Sequence, residues 1–363
     1  MSSLEQIQAL LQRKRLDALL ISQPENRRYL SGYSAPDTSI DESAGYLLIP
    51  AKRGPILLTD SRYELQAEAE AAEFDVAVYP RGLQALLLKI LPSLQIKRLA
   101  FESHYTLHAT ALSLTKALQK IAVEFVSLPK FVEKLRAQKT ADEIDKIRLA
   151  VNLNEEVFVE IYSGLKPGQT ERDVALKIET AMRMKGADGP SFDTIVAAGP
   201  NGARPHAIPT NRPLREGEPI IIDMGVRLNG YCSDMTRTVV CGNPDEKTLK
   251  LLRLVRKAQL AGMNSIRAGV VARDVDRAAR GVIDQAGFGK RFGHGLGHGV
   301  GLAVHEAPAL NRRNRRKLLS GMVVTVEPGI YIPEWGGVRL ENMVAVYENG
   351  HELLNNDRTF LDV

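Results

Sequence analysis

Cysteine is almost missing from this 363-residue chain: Cys232 and Cys241 are the only two, and they form no Cys-x-x-Cys pair. That excludes a disulfide framework and a thiolate zinc site. Charge of one sign is also scarce, since 48 Lys and Arg against 43 Asp and Glu leave a formal net charge of +5. So small an excess argues against a nucleic-acid partner. No apolar run approaches the ~18 residues of a membrane helix. The opening residues, MSSLEQIQALLQRKRLDALL, lack the continuous apolar stretch of a signal peptide. A soluble protein of the cytoplasm is expected. What is present, 44% apolar and 25% charged residues, is the balance of an ordinary globular chain. Its length favours two domains.

Through residue 129, short apolar runs alternate with helical patterns, as in Ala18–Ile21, Gly45–Ile49, Leu83–Leu91 and Leu99–Glu102. That rhythm predicts an α/β domain with a parallel or mixed sheet. From residue 130 the pattern changes. Thr140-Ala-Asp-Glu143 is a capping box opening a helix that runs to about Ser163. Helices at 171–185, 247–267 and 272–286 are interleaved with strand-rich stretches. This second domain, 130–363, reads as α+β and holds most of the chemically able residues.

The first informative segment is Ile220-Ile-Ile-Asp223-Met-Gly, followed after Asn229-Gly230 by Tyr231-Cys-Ser-Asp234-Met-Thr236. Asn-Gly between two β-rich runs is a strong hairpin signal. With a two-residue turn Asp223 faces Thr236, and Asp234 faces Gly225. The two acids are then diagonal neighbours on one face, with Cα atoms about 7–8 Å apart. Bare carboxylates that close repel, so they converge on something between them; the bland alternative is two acids on a surface rim.

Three of the seven histidines, His294, His298 and His305, fall within twelve residues. Glycines at every second position there never meet the GxGxxG spacing of a dinucleotide loop. Glycine on both sides of His298 leaves its imidazole uncrowded, as a metal ligand or base requires. A flexible loop with incidental histidines is the plain alternative, and His206 taken alone is a loop histidine. A second hairpin, Met322–Ile332 and Gly337–Val346, would place Glu327 opposite Glu341 if Pro333-Glu334-Trp335 is a three-residue loop. Like charges directly opposite destabilise a sheet unless a cation sits between them. Arg339 and Glu341 share a face. Two Asp, one His and two Glu suit Mn²⁺, Co²⁺ or Fe²⁺, with Zn²⁺ an alternative. Four carboxylates are too much charge for one ion and fit a pair about 3.5–4 Å apart.

In these motifs the chain resembles metallopeptidase family M24, which contains Xaa-Pro dipeptidase (prolidase), aminopeptidase P and methionine aminopeptidase. The family's ligand order Asp, Asp, His, Glu, Glu is matched by Asp223, Asp234, His298, Glu327 and Glu341. The resemblance covers essentially the whole chain. It implies a pita-bread catalytic domain over 130–363 behind a creatinase-type domain over 1–129, hinted at by Asn26–Gly32 and Thr59–Tyr63. It further implies that His206 and His305 hold the substrate and stabilise its tetrahedral intermediate. His294 would line a proline pocket, Arg339 would steady the metal aspartates, and Tyr231 and Thr236 would stand just behind the ligands, Tyr231 near the substrate. Glu327 is expected to shuttle the proton. The implied enzyme is a homodimer that uses two divalent ions, Mn²⁺ by preference, to hydrolyse X-Pro bonds at peptide N-termini. Dipeptidase is the favoured form and aminopeptidase P, acting on longer peptides, the alternative.

Two departures stand out. Ala303 occupies a position that is usually acidic in proline-specific members. Ala309 stands where short prolidase-like chains often carry the arginine thought to bind the substrate carboxylate. The run Arg312-Arg-Asn-Arg-Arg-Lys317 could substitute, or could be a solvated loop. Two rivals share the fold, a binding protein that has lost its chemistry and a metal-free amidinohydrolase of creatinase type. Either would be expected to lack some of the acids, and all are present here.

Overall fold

The computed structural model describes residues 2–356. The chain separates into two compact units after Arg136. That is later than the division expected after Pro129, because Phe131 and Val132 are buried in the first unit's core.

The first unit is a six-stranded mixed sheet. Strand Ala18–Ile21 lies at its centre, antiparallel to Tyr46–Pro50 and parallel to Arg98–Phe101. Side chains of a strand alternate between faces. Leu19 and Ile21 therefore enter one apolar core, while Ala18 and Leu20 enter the other. Helix Pro24–Ser31 has no counterpart in the sequence reading. Its buried residues include Asn26 and Arg27, so it carries no apolar periodicity. Arg27 donates instead to Asp37 at 2.8 Å and to the carbonyls of Ala35 and Gly45 at 3.0 and 2.7 Å.

The second unit is built of two similar halves. In one, helices Ala141–Ser163 and Glu171–Met184 pack on an antiparallel sheet of Ile195–Ala198, Pro219–Met224 and Met235–Val240. In the other, Glu246–Asn264 and Ala272–Gln285 cover a five-stranded sheet that includes Gly297–Gly299, Val323–Val326 and Asn342–Tyr347. The capping box predicted at Thr140 and Glu143 is formed. Both hairpins take the expected register. Asp223 pairs with Thr236 across the first. In the second, Ile332 pairs with Gly336 around the three-residue loop, and Val326 pairs with Asn342. No helix among the described residues is long and apolar enough to cross a membrane.

Candidate active site

Each acid stands where a hairpin changes sheets. Asp223 lies near the end of Pro219–Met224, and Asp234 immediately precedes Met235–Val240. The strands pinch between them: a Cβ on Gly225 would lie 2.1 Å from Ser191 Oγ and 2.2 Å from the Ser233 carbonyl. Glu327 follows Val323–Val326, and Glu341 precedes Asn342–Tyr347. His298 is the middle residue of Gly297–Gly299, where a Cβ on Gly297 would be 2.0 Å from the Thr325 carbonyl. Only glycine lets this strand lie so close to its neighbour.

One cavity of about 530 Å³ is lined by all five of these residues together with His206, His294, His305 and Arg339. Asp234, His298 and Glu341 each offer one ligand atom within 4.8 Å of the others. Glu327 Oε1 is 3.4 Å from His298 Nε2, and Asp234 Oδ2 is 3.5 Å from the same nitrogen. Arg339 donates to Asp223 at 2.7 Å and to Thr236 Oγ1 at 3.0 Å. Thr236 in turn donates to Glu341 at 2.7 Å. The arginine thus reaches both hairpins at once.

The residues present fit a cation. Asp223 Oδ1 and Glu341 Oε1 are buried with no hydrogen-bond partner, an arrangement that costs free energy unless something positive meets them. Burial and then Asp223 push the Glu341 carboxyl up to about 8. Burial and then Glu341 raise Asp234 and Glu327 as well. His298 is pushed down to about 4 by burial and by His305, so it is neutral. Its Nδ1 lies 3.2 Å from the Gly299 carbonyl. A proton assigned there leaves the Nε2 lone pair directed at the acids, the tautomer a metal ligand needs.

His294 is engaged on both nitrogens. Nδ1 is 2.8 Å from the Gly295 carbonyl and Nε2 is 2.9 Å from the Tyr331 hydroxyl. Burial and then Arg339 lower it to about 4, so it offers the cavity a ring face rather than a proton. His305 is lowered too, by burial and then His206.

Tyr231 is not among the residues that line this cavity. Its place beside the Asn229-Gly230 turn sends its hydroxyl to Glu143, 3.0 Å away. Ala303 and Ala309 do not line the cavity either, whereas Arg312 and Arg313 line an adjoining one that shares His294, Gly295 and Asn311.

Three supporting groups went unread in the sequence. Tyr331 accepts from Arg339 at 2.8 Å, and the signal was Gly329, whose missing Cβ makes room for its hydroxyl. Asp276 and Arg280 form a buried i,i+4 pair. Arg280 donates to the carbonyls of Phe292 and His294, fixing the histidine-bearing segment from behind. Glu171 accepts from Ala198 N, Asn201 and Thr210, and so shapes the loop that carries His206.

A buried cluster of carboxylates with a carbonyl-backed imidazole, flanked by further histidines in an open cleft, defines a metal-dependent hydrolase. The profile of metallopeptidase family M24 matches residues 145–348, and that of the creatinase/prolidase N-terminal domain matches residues 4–138. The chain belongs to metallopeptidase family M24. It is 33% identical over 352 residues to the Xaa-Pro dipeptidase of Pyrococcus furiosus, covering 97% of each chain. Among solved structures, Xaa-Pro dipeptidase from Bacillus anthracis is 35% identical with a TM-score of 0.91, covering 98% of this chain and 97% of that one. X-Pro aminopeptidase from Thermotoga maritima is 34% identical with a TM-score of 0.90, covering 98% of both.

Proposed function

We propose that this peptidase is an Xaa-Pro dipeptidase. The observation that carries the reading is the single cavity in which the two acid hairpins meet His206, His298 and His305. Asp223, Asp234, His298, Glu327 and Glu341 would hold two divalent cations, Mn²⁺ in this reading. Bound divalent cations supply an acidified water and polarise a carbonyl. The working form is read as a cytoplasmic homodimer.

The remaining chemistry falls to side chains. His305 and His206 donate to the scissile carbonyl oxygen as it gains charge. Glu327 takes the proton of the attacking water and passes it to the departing nitrogen. Arg339 holds Asp223 in place through a hydrogen bond of 2.7 Å. The nitrogen of an X-Pro bond carries no N–H. A wall with no acceptor to satisfy suits it, and His294, with both nitrogens engaged, is such a wall. Phe192, Ile195 and Ile208 add apolar surface to the same cavity.

The adjoining cavity is lined by Lys290, Arg312 and Arg313. These cations stand in for the arginine missing at Ala309 and meet the substrate carboxylate. Replacing Arg312 and Arg313 together by Ala is expected to raise KM for Ala-Pro roughly tenfold, the worth of a charged hydrogen bond, with kcat little changed. An unchanged KM would make the run a solvated loop.

The assignment itself is tested by mass spectrometry of products after Mn²⁺ loading, with Ala-Pro offered beside Ala-Pro-Ala-Ala. Cleavage of the dipeptide supports the reading. Release of Ala from the tetrapeptide alone would make the chain an aminopeptidase, for which the second cavity leaves room.

A further inference from the structure

His305 sits on a segment with little regular structure of its own. Residues 301–305 are a run of bends between strand Gly297–Gly299 and strand Glu306–Leu310. Its near end is tied by Val300 N to the Val323 carbonyl at 3.1 Å and by Cys232 N to the Gly301 carbonyl at 2.8 Å. The His305 ring meets the His298 ring edge-on, with centroids 4.3 Å apart. A hydrogen-bond donor on so irregular a strap needs an anchor if it is to keep its aim.

The anchor lies one residue further on. Glu306, at the start of its strand, forms an ion pair with Lys139, and the two side chains are only 6% and 1% exposed. His305 lines the cavity, while the Glu306 carboxylate is taken up by Lys139 in the interior. The space is closely fitted: a Cβ on Gly301 would lie 2.5 Å from Glu306 Oε1 and 3.0 Å from Lys139 Cε. Lys139 is held in its turn, since its backbone N–H donates to the Gly321 carbonyl at 2.8 Å.

We infer that Lys139 and Glu306 are positioning residues, a buried ion pair that fixes the direction of His305 toward the substrate carbonyl. Neither touches the reacting atoms. The strap is pinned at Gly301 by backbone and at Glu306 by charge, and the imidazole is carried between the two pins. The inference rests on the reading of His305 as a donor in hydrolysis.

The test is a double-mutant cycle on the full chain loaded with Mn²⁺, using Lys139→Met, His305→Ala and their combination, with metal content and melting temperature recorded for each. Misplacing a reacting group by about 1 Å costs on the order of 100-fold. Lys139→Met is expected to lower kcat by a large part of that factor with KM and metal content little changed. In the His305→Ala background the same change is expected to have little further effect, because coupled residues are not additive. Lys139→Arg, which keeps the charge, should recover much of kcat. Equal fold-losses in both backgrounds would overturn the positioning role while leaving the peptidase reading intact. A His305→Ala variant as active as the parent would remove the premise, and the inference with it. Should Lys139→Met fail to fold, Glu306→Gln in the same cycle gives the same discrimination.

Discussion

Asp234→Ala or Glu341→Ala protein will turn over X-Pro substrate roughly a thousandfold more slowly than the parent, the several kcal/mol that Lewis-acid stabilisation supplies. The same variants will hold less Mn²⁺. Without cation they will melt no lower than the metal-free parent, an outcome unlike that of most core substitutions. The reason is electrostatic. Asp234 and Glu341 are 5% and 2% exposed and share one cavity with Asp223 and Glu327. Removing one acid relieves repulsion in the empty cluster even as it deletes a ligand. Activity, metal content by elemental analysis and melting temperature therefore move in a linked pattern. Full turnover with one of these acids gone would sink the assignment of the site.

Metal-free protein will lose stability as the solution is made more alkaline, and saturating Mn²⁺ will cancel the trend. Glu341 titrates near 8 in the fold because of burial and Asp223, against 4.5 for an unhindered glutamate. A carboxyl whose folded pKa is raised contributes stability that is complete below the unfolded value and disappears as pH rises through the folded one. Asp234 and Glu327, raised by burial and by Glu341, act in the same direction. His294 and His298 act oppositely and in another window. Both are lowered to about 4, chiefly by burial, so their contribution is present above about 6.5 and fades as pH falls through 4. Chelated protein should melt several degrees lower at pH ~8.5 than at ~6.5, at about 2–4 °C per kcal/mol for a unit of this size. With Mn²⁺ the slope should flatten, since bound cation replaces the proton on each acid. Chelated protein that melts higher at ~8.5 would contradict the buried-acid picture.

Much of this architecture is local and was therefore legible. Asn229-Gly230 dictates a two-residue turn, and the turn dictates that Asp223 faces Thr236. Thr140 and Glu143 announce a helix start by their spacing alone. The meeting of Asp223, Asp234, His298, Glu327 and Glu341 in one cavity could be anticipated because paired acids on a hairpin face demand a reason. What stayed hidden depends on partners far along the chain. Tyr231 has the right neighbours in sequence, yet its hydroxyl finds Glu143. Lys139 and Glu306 are 167 positions apart, and no periodicity links them. Asp276 and Arg280 look like a surface i,i+4 pair until the His294 segment is laid over them. Helix Pro24–Ser31 escaped notice because polar Asn26 and Arg27 are among the residues it buries.

The second hairpin has one more consequence. Its outer half, Gly329–Ile332 with Gly336–Arg339, belongs to a two-stranded sheet, and its inner half to the five-stranded one. Glu327 and Glu341 lie at the seam, and their opposition is measured out from the three-residue loop at Pro333–Trp335. That surface loop works as a ruler. One residue gained or lost there slips the ladder by a step and turns one glutamate to the other face. Insertions that most exposed loops absorb would here strike the site from a distance, without altering any residue that faces the cavity.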